Sequence, residues 1–229
     1  LCDSIVTINE EDYRRTKTFY AKRVEKIPGV GVNLDRFAPD PETRLQWREK
    51  LGLTEENIAL LTVGELSHRK NQHVILEALH ILQNPNIKLF LCGRGNMEAQ
   101  LKAIAEQLDV GENVQFLGYC KEIPQLCCAS DIFVFTSLQE GLPRALMEAM
   151  ANGKPVVCSS IRGNVDLIEN GKGGFVVDNR ADTVAESIGA LAKDTHLRDE
   201  MGIYNVKAVD TFREERAVEA VEKLMSVED

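Results

Sequence analysis

Long apolar runs are missing from this chain: nothing in it approaches the roughly 18 consecutive apolar residues that cross a bilayer. Its first residues do not read as a secretory leader either, since no basic start precedes an apolar core, and a cytoplasmic protein is expected. Positive charge is scarce. Against 36 Asp and Glu there are 27 Lys and Arg, a formal net charge of -9. That balance argues against a nucleic-acid partner, because phosphate backbones demand an excess of cations. A small anionic ligand, which answers to a few local charges, stays open. The four histidines, His68, His73, His80 and His196, stand at no ligand spacing and no D-x-D pair is present, so no metal is expected. No Ser/His/Asp or Cys/His arrangement for nucleophilic catalysis is found. The six cysteines (Cys2, Cys92, Cys120, Cys127, Cys128 and Cys158) form no C-x-x-C framework. Buried free thiols in a reducing compartment are expected instead.

What is present is an ordinary soluble composition, 44% hydrophobic and 28% charged over 229 residues. That suffices for one large domain, or for one domain and part of another. From about residue 40 strands and helices alternate. Strand patterns fall at 57–63, 87–92, 114–117, 131–137, 155–159 and 174–177. Between and after them lie helical patterns at 41–51, 70–82, 96–108, 123–129, 144–151, 164–169, 182–193, 196–211 and 214–225. This alternation predicts an α/β fold: a doubly wound, mostly parallel Rossmann-like sheet with helices on both faces. Such sheets bind ligands beyond the carboxyl ends of their strands. The candidate loops are therefore 64–70, 93–96, 118–122, 137–143 and 160–164.

The first residues read differently. A strand at 1–8, a helix at 9–19 capped by Asn9 and an extended piece at 24–28 cannot bury their faces alone. They are expected to be a remnant of a preceding domain, or else an edge unit of a single domain. The spaced glycines of Gly29-Val30-Gly31 then make a connector into a main domain at 29–212, followed by a C-terminal helix at 213–229.

Several loops carry chemistry. In Gly64-Glu65-Leu66-Ser67-His68-Arg69-Lys70 two cations are expected at a helix start, where unpaired amides and the helix dipole collect anions. A phosphate would suit them, and a solvated basic pair is the plain alternative. Gly93-Arg94-Gly95 matches a dinucleotide fingerprint only weakly, since Glu98 replaces the third glycine. The segment EGLPRALMEAMANGKPVV places Glu140 on a turn, with Pro143 near the first position of the 144–151 helix, and Glu148 inside that helix among apolar residues. An acid/base pair is one reading of the two. Aimed at hydroxyls, they would accept short, strong hydrogen bonds from a sugar and a ribose. A salt bridge from a lysine is the structural alternative for Glu148.

The Glu140–Glu148 spacing resembles the signature of family 4 retaining glycosyltransferases. VGELSHRKNQHVILEAL, FLGYCKEIPQLCCASDIFVFTS, IRGNVDLIENGKGGFVVD and the connector IPGVGVNLDRF fall around it in that family's order. The wording is most similar to bacterial capsular and exopolysaccharide enzymes. The resemblance implies the C-terminal, donor-binding half of a protein with two Rossmann-like domains. Its donor would be a UDP-hexose or UDP-N-acetylhexosamine, and its acceptor a polysaccharide or lipid-linked saccharide. Glu140 would bind donor-sugar hydroxyls and Glu148 the nucleotide ribose. Lys70 would hold the leaving diphosphate, with Lys70 and Glu140 as the catalytic pair. Gly141, Leu142, Pro143 and Ala145 would contribute at the helix end, and Gly118, Tyr119 and Glu122 near the base.

Where the family often has a diphosphate-binding arginine, this chain has Glu65, so either Arg69 takes over part of that role, with Arg144 a second candidate, or Lys70 works with less help. No cofactor and no metal are implied, the nucleotide sugar being the substrate. The resemblance also implies a fragment, inactive alone, of a protein peripheral at the inner membrane face, with an exposed apolar patch near residues 1–8 and Phe212. A non-catalytic nucleotide-sugar-binding module and a nucleotide-sugar 2-epimerase are the rival readings.

Overall fold

The computed structural model describes residues 2–225. Leu1 of the expected first strand and residues 226–229 of the C-terminal segment lie outside the described residues. In chain order come β1 (Cys2–Thr7), α1 (Glu10–Thr16), β2 (Ala21–Lys26), α2 (Pro41–Lys50), β3 (Ile58–Val63), α3 (His73–Leu82), β4 (Ile87–Cys92), α4 (Glu98–Gln107) and β5 (Val114–Gly118). Then follow α5 (Ile123–Ala129), β6 (Ile132–Phe135), α6 (Arg144–Ala151), β7 (Val156–Ser159), α7 (Asn164–Leu167), β8 (Gly174–Val177), α8 (Ala181–Lys193), α9 (Thr195–Ala208) and α10 (Glu214–Met225).

Six of the strands form one parallel sheet in the order β5-β4-β3-β6-β7-β8. Successive side chains along a strand point to opposite faces, and the core divides accordingly. Leu60, Leu89, Leu91, Ile132, Val134 and Val157 pack with α3, α4 and α8 on one face. Leu61, Phe90, Phe133, Phe135, Val156 and Cys158 pack with α5 and α6 on the other. These side chains are almost fully buried, each contributing about 1.5–3 kcal/mol. The doubly wound expectation therefore holds. Chain order runs outward in both directions from β3 and β6, so the crevice between their carboxyl ends is the topological switch point, where such folds place ligands.

β1 and β2 pair in parallel as a separate two-stranded unit joined by α1. Asn9 caps α1, its side chain accepting from the Asp12 N–H. The connector then pairs with the start of α10: Val32 N–H donates to the Phe212 carbonyl at 2.9 Å, and Glu214 N–H to that of Val32 at 3.1 Å. Phe212 was expected in an exposed apolar patch, but it is half-buried and packs against the core. Val6 and Ile8 are exposed. No helix among the described residues is long and apolar enough to cross a membrane.

One local expectation is corrected. Lys70 does not open α3: His68–Lys70 is a separate one-turn 3₁₀ helix, closed by Asn71 in the left-handed region at φ 56°. Pro143, expected near the first position of the 144–151 helix, is the residue capping α6, with extended backbone. At an N-cap ψ is non-helical, and the value here is 115°.

Candidate functional site

The loops after β3 and β6 meet at the switch point. Leu138 N–H donates to the Arg69 carbonyl at 2.8 Å, and the Thr136 hydroxyl to that of Asn71 at 3.0 Å. Beneath them, Asn179 Nδ2 donates to the Thr136 carbonyl at 2.9 Å and the Ser159 hydroxyl to that of Ser137 at 2.6 Å. One backbone bond and three side-chain-to-backbone bonds set the loops in this way. Arg69 and Lys70 then reach across to one carboxylate oxygen: Lys70 Nζ lies 2.7 Å and Arg69 Nη1 2.9 Å from Glu140 Oε1. The Phe135 ring lies under the ammonium, 4.5 Å from Nζ to the centroid. Lys70 and Glu140 side chains are 13% and 10% exposed, that of Arg69 46%. The inner pair is thus shielded from water while Arg69 is screened, so the short Lys70 contact is the stronger of the two.

Glu140 leads into α6, whose first amides have no carbonyl one turn back within the helix. The Arg144 and Ala145 N–H groups therefore offer positive charge beside Lys70. One turn further, Glu148 is mostly buried and accepts from Arg144 Nε at 3.2 Å. The structural alternative of a lysine partner is overturned: the cation is Arg144, four residues back on the same helix face. Burial pushes the Glu148 carboxyl above its ordinary value, against the opposing pull of Arg144 and Arg36. Arg144, expected as a stand-in for the missing arginine, engages Glu148 here, whereas Arg69 sits at the switch point. Glu65 is exposed.

Other expected residues spread outward. Gly141 and Leu142 continue the Glu140 turn, and Pro143 is buried behind it. Gly118 ends β5, an edge strand two places from β3, and Tyr119 follows it. The Gly118 carbonyl accepts from Gly93 N–H at 2.8 Å, and Tyr119 is exposed. Glu122 is exposed and accepts from the Lys121 N–H. Arg162, in the loop after β7, was missed as a single residue. It donates to the Glu140 carbonyl at 3.2 Å and to Asp12 at 2.6 Å. Only its place in a candidate loop hinted at this, because both partners are distant in sequence. Among the described residues no three His, Cys, Asp or Glu side chains gather where they could hold a metal ion. The described free thiols are buried at Cys92, Cys127, Cys128 and Cys158 and half-buried at Cys120.

Two cations, a helix amino end and two carboxylates at the switch point of a doubly wound sheet are the parts of an anion-and-polyol site. The family model of glycosyl transferases group 1 matches residues 43–208, a span that contains all of them. The chain belongs to this family. The chain is 34% identical to EpsD of Bacillus subtilis, over 98% of its own length and 60% of EpsD. It is 29% identical, over 88% of its length and 54% of the other, to the UDP-Gal:alpha-D-GlcNAc-diphosphoundecaprenol alpha-1,3-galactosyltransferase of Escherichia coli. In fold it matches Anabaena HepE, solved in complex with UDP-glucose, with a TM-score of 0.89 at 24% identity. That match covers 98% of this chain and 64% of HepE. In each of these comparisons the chain spans less than two thirds of the protein it matches.

Proposed function

We propose that this chain binds a UDP-activated hexose or N-acetylhexosamine for retaining transfer to a polysaccharide or lipid-linked saccharide. The observation that carries the reading is the convergence of Lys70, Arg69 and Glu140 at the switch point, beside the amino end of α6. Two relatives support the donor class: the galactosyltransferase named for UDP-Gal and HepE, solved with UDP-glucose. The acceptor class follows the diphosphoundecaprenol in that galactosyltransferase's name.

In this reading the donor diphosphate lies between Lys70 and the first amides of α6, with Arg69 as a second, more exposed cation. Glu140 accepts from the sugar hydroxyls and Glu148 from the ribose diol. The Gly118–Tyr119 loop lies toward the base. As the glycosidic C–O bond of the donor breaks, its electron pair leaves on the diphosphate, whose added charge Lys70 and the helix amides are placed to meet. Without a donor, Glu140 neutralises part of that cationic cluster, so binding exchanges one anion for another. We place the protein in the cytoplasm, its acceptor presented from a membrane or a growing polymer through the remainder of the full-length protein.

The test is calorimetric titration with UDP, GDP and ADP, repeated on Glu148→Ala. UDP should bind best, and the variant should lose most of that affinity. Equal binding of all three, unchanged by the substitution, would remove the site assignment.

A further inference from the structure

Glu140 is gripped at both ends. Its carboxylate takes Lys70 and Arg69, and its backbone carbonyl takes Arg162 Nε at 3.2 Å. The same guanidinium places Nη1 2.6 Å from Asp12 Oδ1 on α1. Asp12 does not float there: its other oxygen accepts from Asn9 Nδ2 at 2.8 Å, and its N–H donates to Asn9 Oδ1 at 2.8 Å. A second strut lies alongside. Asp166 accepts from Glu10 N–H at 2.7 Å with one oxygen and from Gly163 N–H at 3.0 Å with the other. The loop after β7 also abuts the donor turn directly. Gly163 has φ 81°, and a Cβ placed on it would come within 2.4 Å of the Gly141 carbonyl oxygen. No side chain fits between the two backbones.

We infer that Arg162 is a positioning residue: it fixes the Glu140 peptide and ties that hold to Asp12 of the β1–α1–β2 unit. The reason is geometric. A guanidinium presents several donors in a rigid fork, so it can serve a carbonyl and a carboxylate in two directions at once. A lysine supplies one flexible ammonium and cannot hold both at these angles. Movement of α1 would thereby be felt at the carboxylate that receives the sugar, whereas Glu148 makes no contact with this strut. The inference rests on the donor reading of Glu140.

The experiment compares UDP and UDP-glucose binding by calorimetry in the chain as it stands and in Arg162→Lys, Glu140→Gln and the double variant. Arg162→Lys should weaken UDP-glucose by about fivefold to tenfold, one hydrogen bond's worth. It should leave UDP within about twofold, because contacts shared by both ligands do not pass through the Glu140 peptide. In the Glu140→Gln background the same change should cost UDP-glucose nothing more. Asp12→Asn should reproduce the Arg162→Lys pattern in weaker form. Equal losses for both ligands, or fully additive losses in the double variant, would overturn the inference, since a general brace behaves that way. If the unsubstituted chain binds neither ligand, the donor reading itself fails. Amide hydrogen exchange of residues 138–142 without ligand then still decides. Faster exchange there in Arg162→Lys, with the sheet core unchanged, supports the strut, and unchanged protection removes it.

Discussion

At the scale of single residues, the site is built from side chains that oppose their own surroundings. Lys70 is largely shielded from water beside an aromatic ring and is held there by Glu140. Lys70→Ala removes one charge-assisted contact to the proposed diphosphate, worth about 1.5–3 kcal/mol, and should weaken UDP by about tenfold to a hundredfold. Titration of the variant checks this, and a loss below threefold would contradict it. Glu148 shows the opposite tension. Its carboxyl is raised by burial, so the folded state holds a proton more tightly than the unfolded chain does. Stability therefore declines as pH climbs from the ordinary carboxylate value of about 4.3 through the raised one. Glu148→Gln should melt higher than the parent at neutral pH, lose that advantage below about pH 4, and bind UDP more weakly. Thermal melts across that range, with a titration at pH 7, measure both effects.

At the scale of elements, α2 is fastened to β6 by a buried charge cluster away from the site. Arg44 and Arg48, one turn apart, lie 2.5 and 3.0 Å from the two oxygens of Asp131, which also accepts from the Ala59 N–H at 2.7 Å. Burial alone would raise the Asp131 carboxyl, but Arg44, the Ala59 amide and Arg48 together hold it below its usual value. Asp131→Asn leaves two guanidinium groups facing a neutral amide and should cost about 3–5 kcal/mol. The depressed folded pKa gives a stabilisation present above the unfolded value of about 3.9 and lost as pH falls through the folded one. Urea unfolding should show the two proteins far apart at pH 7 and converging in acid. Asp131 opens the strand pattern that the sequence displays, yet nothing local marks it as the partner of α2.

The elements themselves were largely legible, and their limits were not. Short, nearly continuous apolar runs located β3, β4, β6 and β7 because each strand is buried on both faces. Asn9 was legible as a cap because its side chain competes for the first free amides. The end of the Lys70 loop was not legible. Apolar spacing from Val74 onward marks a helix but is silent on whether the polar residues before it are helical. Asn71, in the left-handed region, tolerates a conformation that its identity permits but does not require. In the site, the types and spacing of Lys70, Glu140 and Glu148 could be read directly. That Arg144 answers Glu148, while Arg69 and Lys70 share Glu140, depends on where helices and loops end.

At the scale of the molecule, the connector and the last helix behave as one seam. Gly31 has φ 70°, and a Cβ there would lie 2.6 Å from Glu214 Cα. Gly31→Ala should strain both the backbone and that contact, costing about 1 kcal/mol or more. Amide exchange should then quicken in residues 27–34 and α10 while β3 to β7 keep their protection. Exchange that quickens everywhere, or nowhere, would show that the seam is not an independent unit. The sequence by itself determined the alternation of strands and helices, the family signature and the chemical kinds of the site residues. Each of these is written in neighbours a few positions apart, where apolar period and capping chemistry act. Only the tertiary structure decided that β3 and β6 are adjacent, and with that which two of five candidate loops face each other. It alone brought Arg162 to Asp12 across 150 positions. Packing two faces of one sheet selects the strand order, and that selection is a property of the whole core, carried by no local segment.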